Sequence, residues 1–137
     1  LFASWLLMPA NLVRDEFLDG VWNAEKLRKI GTRFECSLQA SALRFIELSD
    51  KPIAFVVSRD GMIMWAAKSA SAPFMNSYKF GDVLPPGSAA EEHHQIGSND
   101  TRQKETKETW TGFGCTLESQ YLDYSGQGYH YTCIEFI

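Results

Sequence analysis

The residues that could do metal or nucleophilic chemistry in this chain are few and scattered. There are three histidines, His93, His94 and His130, and three cysteines, Cys36, Cys115 and Cys133. A zinc site needs ligands at spacings that let them converge, and neither an H-E-x-x-H helix nor a Cys/His pair with zinc spacing is present. Adjacent His93 and His94 point to different sides of a helix and, beside Glu91-Glu92, read as a solvated helix end. Cys36 stands in a turn just before a helix N-terminus, where a thiolate is favoured, so it is a candidate nucleophile as well as a small packing residue. No G-x-S-x-G elbow and no glycine-rich phosphate loop occurs, and Gly112-Phe113-Gly114 reads as the approach to a strand. These residues imply no catalytic set and no metal ligands.

Two constellations point to binding instead. The second half is rich in aromatic and methionine side chains, from which Phe55, Met64, Trp65, Phe74, Tyr78 and Trp110 are candidates for a ligand cavity or a partner surface. An ordinary apolar core is the competing reading. The second constellation, Ala24 to Leu48, has the outline of a helix-turn-helix, with Arg28, Lys29, Arg33 and Arg44 as candidate DNA contacts. Residues 1–48 hold six Lys/Arg and six Asp/Glu, and the would-be recognition helix carries only Arg44. Phosphate contact needs more positive charge than that, so the balance weighs against nucleic acid as a partner.

The elements that must position these residues fall in two blocks. Residues 1–48 read as short helices. Phe2, Trp5 and Leu6 share a side at helical spacing over 1–8. Pro9 suits the first turn of a helix running to about Leu18, with Leu12, Val13 and Phe17 inward and Asp19-Gly20 as its end. Asn23 can cap a helix carrying Leu27, Ile30 and Phe34, and Ser37 one carrying Leu38, Ala42, Phe45, Ile46 and Leu48. At Ser49-Asp50-Lys51-Pro52 the period changes. Ile53–Val57 reads as a buried strand, Arg59-Asp60-Gly61 as a tight turn and Met62–Lys68 as the return strand. Phe74, Tyr78 and Phe80 are expected to anchor irregular chain, Ser88 to Glu91 to form a capping box, and the wholly polar residues 97–109 to form a solvated loop. The last residues read as two strands around Ser125 to Gly128. Helices first and an antiparallel sheet after them indicate an α+β fold, with a helical unit over 1–48 and a sheet unit over 49–137.

Composition sets the class. The chain has 137 residues, 45% hydrophobic and 22% charged, with a net charge of −4. That is globular, and it exerts no general pull on nucleic acid or anionic lipid. No apolar run reaches the ~20 residues that cross a bilayer, and Leu1–Ala10 lacks a basic leader. An odd number of scattered cysteines fits a reducing cytoplasm. An apolar helical turn without a cap at Leu1 suggests a longer parent, and its exposed apolar groups favour self-association into a homodimer.

Phe2-Ala3-Ser4-Trp5-Leu6-Leu7-Met8-Pro9 resembles the F-A-x-x-L-L-M-P signature of the ImmA/IrrE family of zinc metallopeptidases. Leu27, Ile30-Gly31, Arg33-Phe34, Cys36-Ser37-Leu38, Ala40 and Ala42-Leu43-Arg44 look like the segment that follows it in that family, and Glu47 to Pro52 with Ser58 to Gly61 is similar to a C-terminal extension of some members. The resemblance implies a parent with a zinc-binding H-E-x-x-H helix and an acidic third ligand, all upstream of this chain. On that basis zinc belongs to the upstream part and no cofactor to this fragment, and the fragment is not catalytic. The resemblance further implies a transcriptional repressor as protein substrate, and a sensor or recognition domain, GAF-like, over 49–137.

Overall fold

The computed structural model describes residues 9–17, 22–86, 88–91, 102–105, 109–111, 116–122 and 128–137. The expected helix over 1–8, the Asp19-Gly20 stop, His93-His94, Gly112 to Gly114, Cys115 and the tip of the last hairpin lie outside them.

The described chain is α+β, as its patterning predicts. Helix α1 spans Ala10–Phe17, α2 Ala24–Phe34 and α3 Leu38–Leu48. Pro9 precedes α1, and its carbonyl accepts the first helical bond from the Val13 N–H at 3.1 Å. Asn23 caps α2 through its side-chain oxygen, which accepts from the Lys26 N–H at 2.9 Å. Ser37 caps α3 in the same way through the Ala40 N–H at 3.0 Å. Each cap satisfies one backbone donor that the helix leaves open. Between them Glu35 adopts a left-handed φ of 55°. There the chain turns back so closely that the Cys36 N–H donates to the Gly31 carbonyl at 2.9 Å. A Cβ on Gly31 would stand 2.6 Å from the Cys36 carbonyl oxygen, so the tightness of this turn requires glycine.

Five strands follow: β1 Ile53–Arg59, β2 Met62–Lys68, β3 Arg102–Glu105, β4 Thr116–Leu122 and β5 His130–Phe136. They form one antiparallel sheet in the order β2-β1-β5-β4-β3. Asp60 and Gly61 both take positive φ, 53° and 80°, the pair of values a two-residue hairpin turn requires. A register shift between Val57 and Ser58 leaves Met64 as an extra residue on β2, a bulge. Strand β3 corrects the expectation of a solvated loop over 97–109. Four polar residues pair with β4 there, because an edge strand draws its pairing from the backbone and carries charge to discourage further association.

The two faces of the sheet differ. Ile53, Phe55 and Val57 of β1 and Tyr131 and Cys133 of β5 face the helices and share one core with Val13, Trp22, Leu27, Ile30, Phe34, Ala42, Phe45 and Ile46. The core thus joins the helical block to the sheet. Trp22 stacks on Phe45 at 4.9 Å, and its indole N–H donates to the Ala54 carbonyl at 3.0 Å. Alternation turns Ala54, Val56, Ile134 and Phe136 to the other face. There they pack with Ile63, Met75, Leu84, Ala90 and Trp110, which belong to the return strand and to the segments between β2 and β4.

Those segments cover the second face. The Asn76 N–H donates to the Trp110 carbonyl at 2.8 Å, and the Ile63 N–H to the Asp82 carbonyl at 2.8 Å. Asp82 Oδ2 accepts from the backbone N–H groups of Tyr78 and Lys79, at 3.0 and 2.9 Å. Ser88 supplies its half of the expected capping box, accepting from the Glu91 N–H at 3.1 Å. Phe74 and Phe80 do not anchor this cover. They are 75% and 74% exposed, and the buried anchors are Met75 and Leu84. Aromatic type alone does not say which side chain of an irregular segment turns inward.

Candidate functional site

The cover closes over a buried carboxylate. Glu118 lies on β4 opposite Ile134 of β5, which in turn pairs with Ala54 of β1, so it sits on the second face. It is fully buried. Its Oε1 accepts from the Trp110 indole N–H at 2.7 Å. Its Oε2 accepts from the Ala90 N–H at 3.3 Å. A buried charge is tolerated only where donors replace its lost water, and these two come from two separate pieces of the cover.

More polarity is buried on this face and in its cover. Ser58, Ser88, Thr111, Thr116, His130 and Thr132 are all at most 3% exposed. The register sets Ser58 beside His130 and Val56 beside Thr132 on this face, and the Ser58 hydroxyl donates to the His130 carbonyl at 3.3 Å. The hydroxyl of Thr116 is buried and has no hydrogen-bond partner among the described residues. On the helix-facing side β1 and β5 present Ile53, Phe55, Val57, Tyr131 and Cys133, whereas on this side buried hydrogen-bonding groups lie with a second apolar cluster that includes Met75, Trp110 and Phe136. Both oxygens of Glu118 are engaged by the cover, so the residue ties Trp110 and the Ala90 segment to the sheet.

The candidate binding residues divide between the faces. Phe55 is a core residue, stacked on Tyr131 at 5.8 Å and packed edge-on to Trp22. Met64 and Trp65 both pack on the helix-side core, because the bulge turns two successive residues the same way. Tyr78 and Trp110 belong to the second face, and Phe74 is at the surface. The six therefore do not line a single cavity. Trp110 is the one that meets Glu118, a residue the sequence reading did not select. Its signal is slight: the period-two alternation of Thr116 and Glu118, next to a tryptophan that needs an acceptor once buried.

The candidate DNA contacts also divide. Arg28, Lys29 and Arg33 line an open groove of about 380 Å3 on the outer side of α2, together with Phe17, Glu25 and Thr32. Arg44 is not among them. It is 5% exposed and pairs with Glu47 at 3.2 Å. Its long stem packs inward from α3, so the would-be recognition helix presents no cation to a phosphate.

The candidate nucleophile is disfavoured as a thiolate. Burial first, and the Glu35 carboxylate second, push the Cys36 thiol above its ordinary value. Its Sγ also donates to the Phe34 carbonyl at 3.3 Å. The helix N-terminus does not outweigh these effects. Cys133 is buried in the core. Among the described residues no three His, Cys, Asp or Glu side chains gather into a metal-binding group. Among them also, no helix is long and apolar enough to cross a membrane. No protein-family model matches the chain, and no curated protein matches it.

Proposed function

We propose that this chain is a non-catalytic regulatory or substrate-recognition region of a zinc-dependent peptidase of the ImmA/IrrE type, acting in the cytoplasm on a transcriptional repressor. The zinc and its ligands would belong to the upstream part of the parent, and this region would act through shape and contact. The observation that carries the reading is the unlike pair of sheet faces. One is sealed by helices, while the other holds Glu118 and its polar neighbours beneath a cover fastened by the Trp110 and Ala90 N–H groups. A face of that kind suits a sensor or recognition domain, and the Phe2 to Pro9 signature supplies the family.

Small-ligand sensing by a GAF-like sheet domain is the second reading, and the buried polar groups of the same face favour it. The DNA-binding alternative has lost Arg44 as a contact and is not retained. A pull-down of a helix-turn-helix repressor by the full chain tests the first reading. Retention of repressor, weakened by Trp110→Phe, is expected, and failure to retain it at micromolar concentration would count against a recognition role. A thermal-shift screen tests the second, since a ligand that binds only the native state must raise Tm.

A further inference from the structure

The sheet has two edges, and they are guarded differently. Strand β3 forms one, with the sequence Arg-Gln-Lys-Glu, a charged composition that discourages further pairing. Strand β2 forms the other. The Ser69 N–H donates to the Ile53 carbonyl at 2.9 Å, which sets the phase of the β1–β2 ladder. Bonded and non-bonded pairs alternate along an antiparallel ladder. Trp65 and Ala67 therefore bond to β1, while Ala66 and Lys68 turn their backbone N–H and C=O groups outward. One end of this outer edge is covered: the Ile63 N–H donates to the Asp82 carbonyl at 2.8 Å, and the Ile63 carbonyl accepts from the Gly81 N–H at 2.9 Å. Past Ile63 the cover departs, and among the described residues no backbone group bonds to the outer side of Ala66. Lys68 is the one charge in this stretch, and it is drawn away from the edge. Its Nζ donates to the Pro73 carbonyl at 3.1 Å and lies 5.6 Å from the Tyr78 ring centre.

Exposed apolar side chains flank the same edge. Six large ones are exposed among the described residues, and four of them lie here. Met62 and Val83 bridge each other at the covered end, Phe80 precedes Gly81 there, and Phe74 follows Pro73 at the Lys68 end. Contiguous apolar surface of this kind marks a contact site. We propose that two copies of this chain pair antiparallel through β2, on a twofold axis beside Ala66, and join their five-stranded sheets into one. The edge is complementary to itself. The axis sets Ala66 opposite its own copy, where two backbone bonds form, and Trp65 opposite Ala67, large against small, on the helix-facing side. The strand ends at Lys68, so the partner leaves the edge opposite Met64, just before the cover over Ile63. The antiparallel direction also brings the Phe74 end of each copy to the Phe80 end of the other. Area supports a second copy. Phe74 and Phe80, 75% and 74% exposed, each offer roughly 110–190 Å2, taking about 150–250 Å2 for a whole aromatic side chain. The four rings of two copies bring roughly 450–750 Å2, and Met62, Val83 and the paired strands carry the total toward the about 1,000 Å2 that a specific interface must clear. An extended peptide of another protein would make the backbone bonds, whereas a second copy also supplies the matching flank. The proposal goes beyond the peptidase reading and does not depend on it.

The test is sedimentation velocity of the full chain across the micromolar range, to about 200 μM, where a dimer should form. Ala66→Pro removes the outward N–H and no bond to β1, a change that edge strands tolerate. It should weaken dimerisation at least about tenfold with circular dichroism unchanged. Phe80→Lys should weaken it by a similar factor. Amide exchange of the unsubstituted protein locates the contact without any variant. The Ala66 N–H should exchange fast in dilute solution and slowly in concentrated solution, while the Ala67 N–H stays protected in both. A chain that remains monomeric to about 200 μM would overturn the proposal. So would a dimer in which the Ala66 N–H still exchanges fast, or one that both substitutions leave intact, because another surface would then hold it.

Discussion

Removing the acceptor that Glu118 provides should release the cover from the second face, and the size of the effect follows from its two bonds. Glu118→Gln keeps one carbonyl oxygen for the Trp110 indole, but it turns an amide N–H2 toward the Ala90 N–H, donor against donor. A buried polar group left unsatisfied costs about 1–3 kcal/mol, and a hydrogen bond to a charged group contributes about 1.5–3 kcal/mol. The Trp110 bond is the shorter of the two, 2.7 Å against 3.3 Å, and is therefore the stronger of them. A double-mutant cycle isolates it: wild type, Glu118→Gln, Trp110→Phe and the double variant, each unfolded in urea and followed by circular dichroism. The coupling should be about 1.5–3 kcal/mol. For a chain of 137 residues each kcal/mol shifts Tm by roughly 3–5 °C, so thermal scans should rank the four proteins in the same order. A coupling below about 0.5 kcal/mol, the level at which distant sites simply add, would refute the claim that this bond fastens the cover.

Three further perturbations test other parts of the account. Gly31→Ala places a Cβ 2.6 Å from the Cys36 carbonyl oxygen and should destabilise the chain by about 1–3 kcal/mol in urea unfolding, with α2 and α3 forced apart. Asp82 is held below the ordinary carboxylate range by the backbone N–H groups of Tyr78 and Lys79. Its folded pKa is the lower one, so its contribution is complete above the unfolded value of about 3.9 and is lost as pH falls through the folded value. An acid titration of stability should therefore be flatter for Asp82→Asn than for wild type, and identical acid limbs would remove Asp82 from the turn's support. The Cys36 thiol is pushed up by burial and by Glu35, so its alkylation at neutral pH, read by peptide mapping, should be slower than that of a free cysteine peptide. Glu35→Gln should speed it.

Local rules carried most of the fold. Asn23 and Ser37 are helix caps by the chemistry of their own side chains, and Asp60-Gly61 is a turn because two positive φ values are cheap there. The periods of Leu27, Ile30 and Phe34, and of Ile53 to Val57, say which way these elements face the core. What was not legible depended on distant partners. The polar run of 97–109 gives no hint that Arg102–Glu105 pairs with β4, since edge pairing draws on the backbone. Phe74, Tyr78 and Phe80 looked alike, yet tertiary packing buries Met75 between them and leaves both phenylalanines in solvent. Arg44 reads as a surface cation in the sequence, and the packing of α3 turns it inward beside Glu47. Glu118 could be found only after β4 was set beside β5 and Trp110 was brought over the sheet from eight residues away.

The proposed role, recognition of a repressor without cutting it, can be tested in one experiment. Native mass spectrometry of the full chain mixed with zinc and a helix-turn-helix repressor reads binding, metal content and cleavage in one spectrum. A complex of the intact repressor with the chain, carrying no stoichiometric zinc, is expected. Zinc bound one-to-one by the chain, or repressor fragments appearing in its presence, would contradict it.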